Sequence, residues 1–149
     1  MIQRIQTLWL LLATASGALM FFMPLAYLYS GGAELVLKYS GVYNTATGEL
    51  HTTAYTITGL IAITVFLSFI TIFIYKNRIL QMRLCVYTAI LMIAVMALTA
   101  YYLFYMYSGF KIVPEFIVFL PLIGFILLLM ARRAIKRDEE LVRAIDRIR

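Results

Sequence analysis

Apolar runs without charge alternate along this chain with short polar stretches, and the lysines and arginines gather on alternate stretches. The first run, about 7–29, lies in a charge-free interval bounded by Arg4 and Glu34, and the second, about 54–75, ends at Lys76. The third, about 84–107, fills the interval between Arg83 and Lys111. The fourth, about 112–131, carries Glu115 near its start, with Pro114 beside it as a first-turn residue. Lipid offers no hydrogen bonds, so each crossing segment must satisfy its backbone internally, which takes roughly 20 apolar residues of helix. The pattern predicts four transmembrane helices, an outer loop at 30–53 and a tail at 132–149.

Arg4, Lys76, Arg78, Arg83, Arg132, Arg133, Lys136 and Arg137 fall on one side of these runs, whereas the other side holds only Lys38 and Lys111 among Glu34, Glu49 and Glu115. The positive-inside rule puts both termini in the cytoplasm. The basic start and the small residues from Ala13 to Ala18 imitate a cleaved signal. The apolar run continues through Leu25, too long for such a signal, and reads as a retained helix.

The outer loop changes character. Residues 34–43 favour strand, Asn44–Gly48 supplies turn residues, and Leu50–Tyr55 resumes with Thr and Tyr, which predicts an extracytoplasmic β-hairpin between the first two helices. A two-stranded hairpin is marginal alone, so it should rest on other outer surface. In the tail, Leu141, Ile145 and Ile148 recur at helical spacing among charges, and Glu139 precedes Arg143 by one turn. The fold class expected is therefore an all-α membrane protein: a four-transmembrane-helix bundle with an outer hairpin and a cytoplasmic amphipathic C-terminal helix.

Composition narrows the function. At 149 residues, 64% hydrophobic and 13% charged, the chain is one domain that needs lipid around it. Its net charge of +6 follows from the inside-positive pattern, and an anionic membrane surface fits it better than nucleic acid. No acidic or basic residue sits in the middle of a span, which disfavours a proton-coupled transporter. The lone Cys85 excludes an internal disulfide, and the lone His51 has no ligand at metal-binding spacing. Neither a phosphate loop nor a catalytic triad can be assembled, so no cofactor and no catalytic residue is assigned.

Tyrosine is the most uneven residue. Tyr27, Tyr29, Tyr39, Tyr43, Tyr55, Tyr101, Tyr102, Tyr105 and Tyr107 fall on the outer side, against Tyr75 and Tyr87 on the inner. An interfacial belt forms at both surfaces and explains tyrosine better than it explains this bias. The expectation is an outer aromatic cap, with Tyr27, Tyr43, Tyr55, Tyr101, Tyr102 and Tyr105 as the partner or ligand surface and the hairpin packed on the end of the third helix. Ala13 with Gly17, and Thr14 with Ala18, lets another helix approach the first, within the chain or in a homo-oligomer. Pro24 and Pro121 fall inside predicted spans as kinks or, with Gly124, a hinge.

The start Met1-Ile-Gln-Arg-Ile-Gln-Thr7 and the run Arg133-Ala-Ile-Lys-Arg-Asp-Glu-Glu-Leu-Val-Arg-Ala-Ile-Asp-Arg-Ile-Arg149 resemble an uncharacterised family of small four-span inner-membrane proteins of Bacteroidetes, domain of unknown function 4293. The resemblance covers essentially the whole chain and implies a bacterial cytoplasmic membrane location. It carries no residue role. A looser architectural likeness joins the chain to claudin-type proteins, without the Trp and paired Cys of their first outer loop. Within the chain, Gln3, Arg4 and Gln6 are expected near Asp138, Glu139 and Glu140.

The function expected is a non-enzymatic membrane accessory or scaffold. Its tail, through Leu141, Ile145 and Ile148, engages a protein or the inner leaflet, and its aromatic cap engages a second partner. The alternative is a small-molecule or lipid-handling protein with a pocket under the outer hairpin.

Overall fold

The computed structural model describes residues 3–148, with the side chains at positions 3, 4, 143 and 145–148 outside that description. Its elements are α1 (Gln3–Leu19), β1 (Ala26–Ser30), β2 (Ala33–Lys38), β3 (Gly41–Asn44), β4 (Leu50–Thr53), α2 (Tyr55–Phe73), α3 (Arg78–Tyr101), a π-turn (Tyr102–Met106), β5 (Lys111–Pro114), a short 3-10 turn (Phe116–Phe119) and α4 (Leu120–Ile148). The expectation of an all-α four-transmembrane-helix bundle is overturned. The chain is mixed α/β, with four α-helices and a five-stranded antiparallel sheet of order β4-β3-β2-β1-β5. Three helices, within Tyr55–Phe73, Arg78–Met106 and Phe116–Val142, are long and apolar enough to cross a membrane, whereas the apolar part of α1, Ile5–Leu19, is shorter.

The sheet takes residues from the first and the fourth apolar runs. α1 tightens at its end, where Met20 N–H donates to the Gly17 carbonyl (3.2 Å) and Phe21 N–H to that of Ala18 (3.0 Å). Pro24 then offers no N–H to continue a helix. Beyond it, Ala26 and Leu28 are buried while Tyr29 is exposed, the alternation of a strand with one covered face. In sequence this strand merges with the helix, because period alone cannot separate a short apolar strand from helix.

β1 is an interior strand. It pairs with β2 through Tyr27↔Val36 and Tyr29↔Glu34, and with β5 through Tyr27↔Val113 and Tyr29↔Lys111. Gly31 and Gly32, both at positive φ (53° and 90°), form the two-residue turn between β1 and β2 that this geometry requires. The single predicted hairpin is thus three: β1–β2, β2–β3 and β3–β4. The last turn falls at Asn44–Gly48 as read, with Asn44 Oδ1 accepting from Ala46 N–H at 2.9 Å. Pro114, expected in the first turn of the fourth helix, instead ends β5, where its missing N–H is tolerated because β5 is an edge strand; α4 itself begins at Leu120.

The helices pack side by side, α1 against α2 and α4, and α3 against α2 and α4. Their polarity is inverted relative to a water-soluble core. Thr64 is 1% exposed while its neighbour Phe66 is 65% exposed. The buried hydroxyls of Thr64, Thr71, Thr88 and Thr99 donate to carbonyls one turn back, at 2.7–2.9 Å. Thr14 and Ser68 bond across α1 and α2 at 2.8 Å. The small face of α1 is thereby placed inside the chain, with Ala13 and Gly17 buried. Pro121, buried at the second position of α4, needs no partner for its missing N–H and makes no mid-helix hinge.

Candidate functional site

The sheet sits at one end of the helices, and its inward side chains fill the space beneath it. Leu25, Leu28, Leu35, Leu37 and Val42 meet Ile57, Val95, Leu103 and Tyr107 from the helices in one buried cluster. The π-turn lets a residue every fourth position stay on one line, so Thr99, Leu103 and Tyr107 all face inward. Tyr107 O–H reaches Thr52 Oγ1 on β4 at 3.0 Å, tying the end of the third helix to the far strand of the sheet.

The sequence-predicted tyrosines separate into groups. Tyr101 and Tyr105 stack with centroids 5.2 Å apart, and Tyr102 meets Tyr101 edge-on at 6.3 Å. Tyr105 is 73% exposed, whereas Tyr102 is half-buried against the cluster beneath the sheet. Tyr43 lies elsewhere: its hydroxyl bonds Ser40 Oγ at 2.8 Å and the Lys38 ammonium stands 5.6 Å from its ring centroid. Tyr27 is half-buried within β1 and Tyr55 is exposed at the first position of α2. The six residues therefore do not converge on one pocket. A cavity of about 330 Å³ does open beside Tyr43, between Phe21–Met23 and Lys38–Tyr43. Tyr29, across from Glu34, has its phenol pKa raised, first by the hydrogen bond to the Glu34 carboxylate and then by partial desolvation and the negative charge itself.

The opposite end is held by side chains. Gln6 Nε2 donates to the Ala134 carbonyl on α4 (3.3 Å), and Gln81 Nε2 to the Thr71 carbonyl at the end of α2 (3.1 Å). Arg78 Nη1 approaches Glu139 Oε2 at 3.8 Å. Gln6 thus meets the backbone of α4 rather than the acidic cluster, and the expected partners Gln3 and Arg4 lie outside the described side chains. α4 runs from apolar span to charged tail as one 29-residue helix. Ile135 is fully buried and Asp138 is buried with it, so the first part of the predicted tail belongs to the packed structure. Leu141 and Val142 are exposed, and Ile145 and Ile148 lie outside the described side chains. Among the described residues no group of three or more His, Cys, Asp or Glu side chains could hold a metal ion.

Residues 2–148 match the family described as Domain of unknown function (DUF4293). The chain belongs to this family. No curated protein matches it. In this DUF4293 member the strand-rich connection between the first two helices contributes four strands, and the connection before α4 contributes the fifth. Thr52 and Gln81, which sequence reasoning passed over, and Tyr107, which it counted among the outer tyrosines but left out of the partner surface, make bonds between elements at the two ends. Gln81, an amide close to the apolar part of α3, was the one with a readable signal.

Proposed function

We propose that the chain is a multi-pass protein of the bacterial cytoplasmic membrane, with both termini cytoplasmic, acting as a non-catalytic accessory or scaffold. The observation that carries this reading is the continuity of α4. One helix begins under the sheet, is locked to α1 by the Gln6–Ala134 bond and to α3 by Arg78–Glu139, and ends in a charged segment with Leu141 and Val142 exposed. A docking segment so anchored has a fixed position relative to the outer sheet, which is what a scaffold needs.

A photo-crosslinking residue at position 141, in the full chain in native membranes, tests it. The expected result is an adduct with one defined protein; adducts with lipid alone would end the scaffold reading. Impermeant maleimide on intact cells, applied to Glu49→Cys and Glu140→Cys in a Cys85→Ser background, should label only the first. The reverse pattern would overturn the orientation. A second reading, small-molecule or lipid handling under the outer strands, draws on the cavity beside Tyr43 and predicts a co-purifying ligand lost on Tyr43→Ala.

A further inference from the structure

At the end of the helices away from the sheet, α3 and α4 leave a cavity of about 420 Å³ between them, within the roughly 300–1,000 Å³ of small-molecule sites. Its floor is apolar, made by Ile79, Met82, Val86 and the ring of Tyr87, and its rim carries Arg83, Arg132 and Lys136. Arg83 with Tyr87 on α3, and Arg132 with Lys136 on α4, are each spaced one helical turn apart. Arg83 and Arg132 are also the charges that bound, at this end, the uncharged intervals 84–110 and 116–131. Two antiparallel helices thus bring these cations to the same level, over one cavity.

Neither guanidinium makes an ion pair among the described residues, whereas Lys136 approaches Glu140 at 3.6 Å. On α3 the face of Arg83 continues through Tyr87 to Ile90, both exposed, so the cavity opens along an apolar flank rather than only toward water. An occupant matching both features is amphipathic, with an anionic group for the arginines and hydrocarbon for the flank.

We infer that this groove binds an anionic phospholipid of the adjacent leaflet, its phosphate held between Arg83 and Arg132 and an acyl chain lying along Val86, Tyr87 and Ile90. Two guanidiniums suit a phosphate because each presents paired N–H donors to its oxygens. The inference needs the chain to lie in a membrane and is independent of any protein partner at Leu141.

The test is native mass spectrometry of the full chain in a neutral detergent, titrated with phosphatidylglycerol or phosphatidylcholine. The expected result is a 1:1 complex with phosphatidylglycerol at concentrations where phosphatidylcholine gives none. Arg83→Gln/Arg132→Gln should weaken it roughly thirtyfold. Arg133→Gln/Arg137→Gln, removing equal charge outside the groove, should change it less than threefold. Val86→Phe, which fills the floor without altering charge, should abolish it while leaving thermal unfolding in lipid-free detergent unchanged. Equal losses from the two arginine pairs, or equal binding of both lipids, would overturn the proposal. So would glycerol 3-phosphate competing as well as phosphatidylglycerol, since the site would then bind a soluble phosphate.

Discussion

The sheet cap and the helical layer treat threonine in opposite ways. In the cap Thr45, Thr47 and Thr53 are exposed, while leucines and valines are buried beneath the strands. In the helical layer Thr64, Thr71, Thr88 and Thr99 are buried, while Phe66, Phe69 and Phe73 point outward. The cap buries hydrocarbon, whereas the helices bury hydroxyls and turn hydrocarbon outward, a pattern compatible with a surrounding apolar phase, and the boundary runs through Leu103 and Tyr107, which pack in the cluster beneath the sheet. The two regions also differ in what stabilises them: burial of hydrocarbon in the cap, close approach and satisfied hydroxyls in the helices.

Leu28→Ala should break the comparison most strongly. Its fully buried side chain lies beneath the interior strand β1, and its loss should cost about 2–5 kcal/mol in reversible unfolding in detergent. A loss as small as that of an outward phenylalanine would show that the cap lacks a core of its own. Gly41→Ala comes next. A Cβ at Gly41 would stand 2.5 Å from the Thr52 carbonyl oxygen, a backbone atom that cannot swing away. We expect a loss of about 1–3 kcal/mol, with faster proteolysis at the Asn44–Gly48 turn and unchanged helix content by circular dichroism.

In the helical layer, Ser68→Ala removes the bond to Thr14. We expect only about 0.6 kcal/mol, because a hydroxyl between membrane helices finds other partners when the helices separate. A loss as large as that of Leu28→Ala would place the dominant stabilisation in polar contacts. The smallest effect concerns Tyr29. Its native pKa is above the ordinary 10.0, so its contribution to stability is intact below that pH and is lost as pH rises through the native value. Ultraviolet difference titration against Tyr29→Phe should show late ionisation, and Glu34→Gln should bring it back toward the ordinary value.

The helices beyond the first were legible because an uncharged run of that length has few other homes. The Asn44–Gly48 turn was legible because its residues satisfy the turn locally, as the Asn44–Ala46 bond shows. β1 and β5 were not. Leu25 to Ser30 is apolar enough to pass for helix, and Lys111–Pro114 becomes a strand only by pairing with residues far away in sequence. The bias of tyrosine toward one end was visible, but not that Tyr107 would be the anchoring member, which depends on the π-turn and on Thr52. The inward pull on the tail was hidden too. Ile135 looks like one apolar residue in a charged stretch until α1 and α3 close over it.

The pairing of β1 with β5 sets an order of events during biosynthesis. β1 emerges early, and its partner Lys111–Pro114 is made only after α2 and α3 have been synthesised. Until then β1 carries an open edge, with hydrogen-bonding groups free to capture another chain. Closing the sheet therefore waits on the synthesis of α2 and α3, which lie between β1 and β5 in the chain.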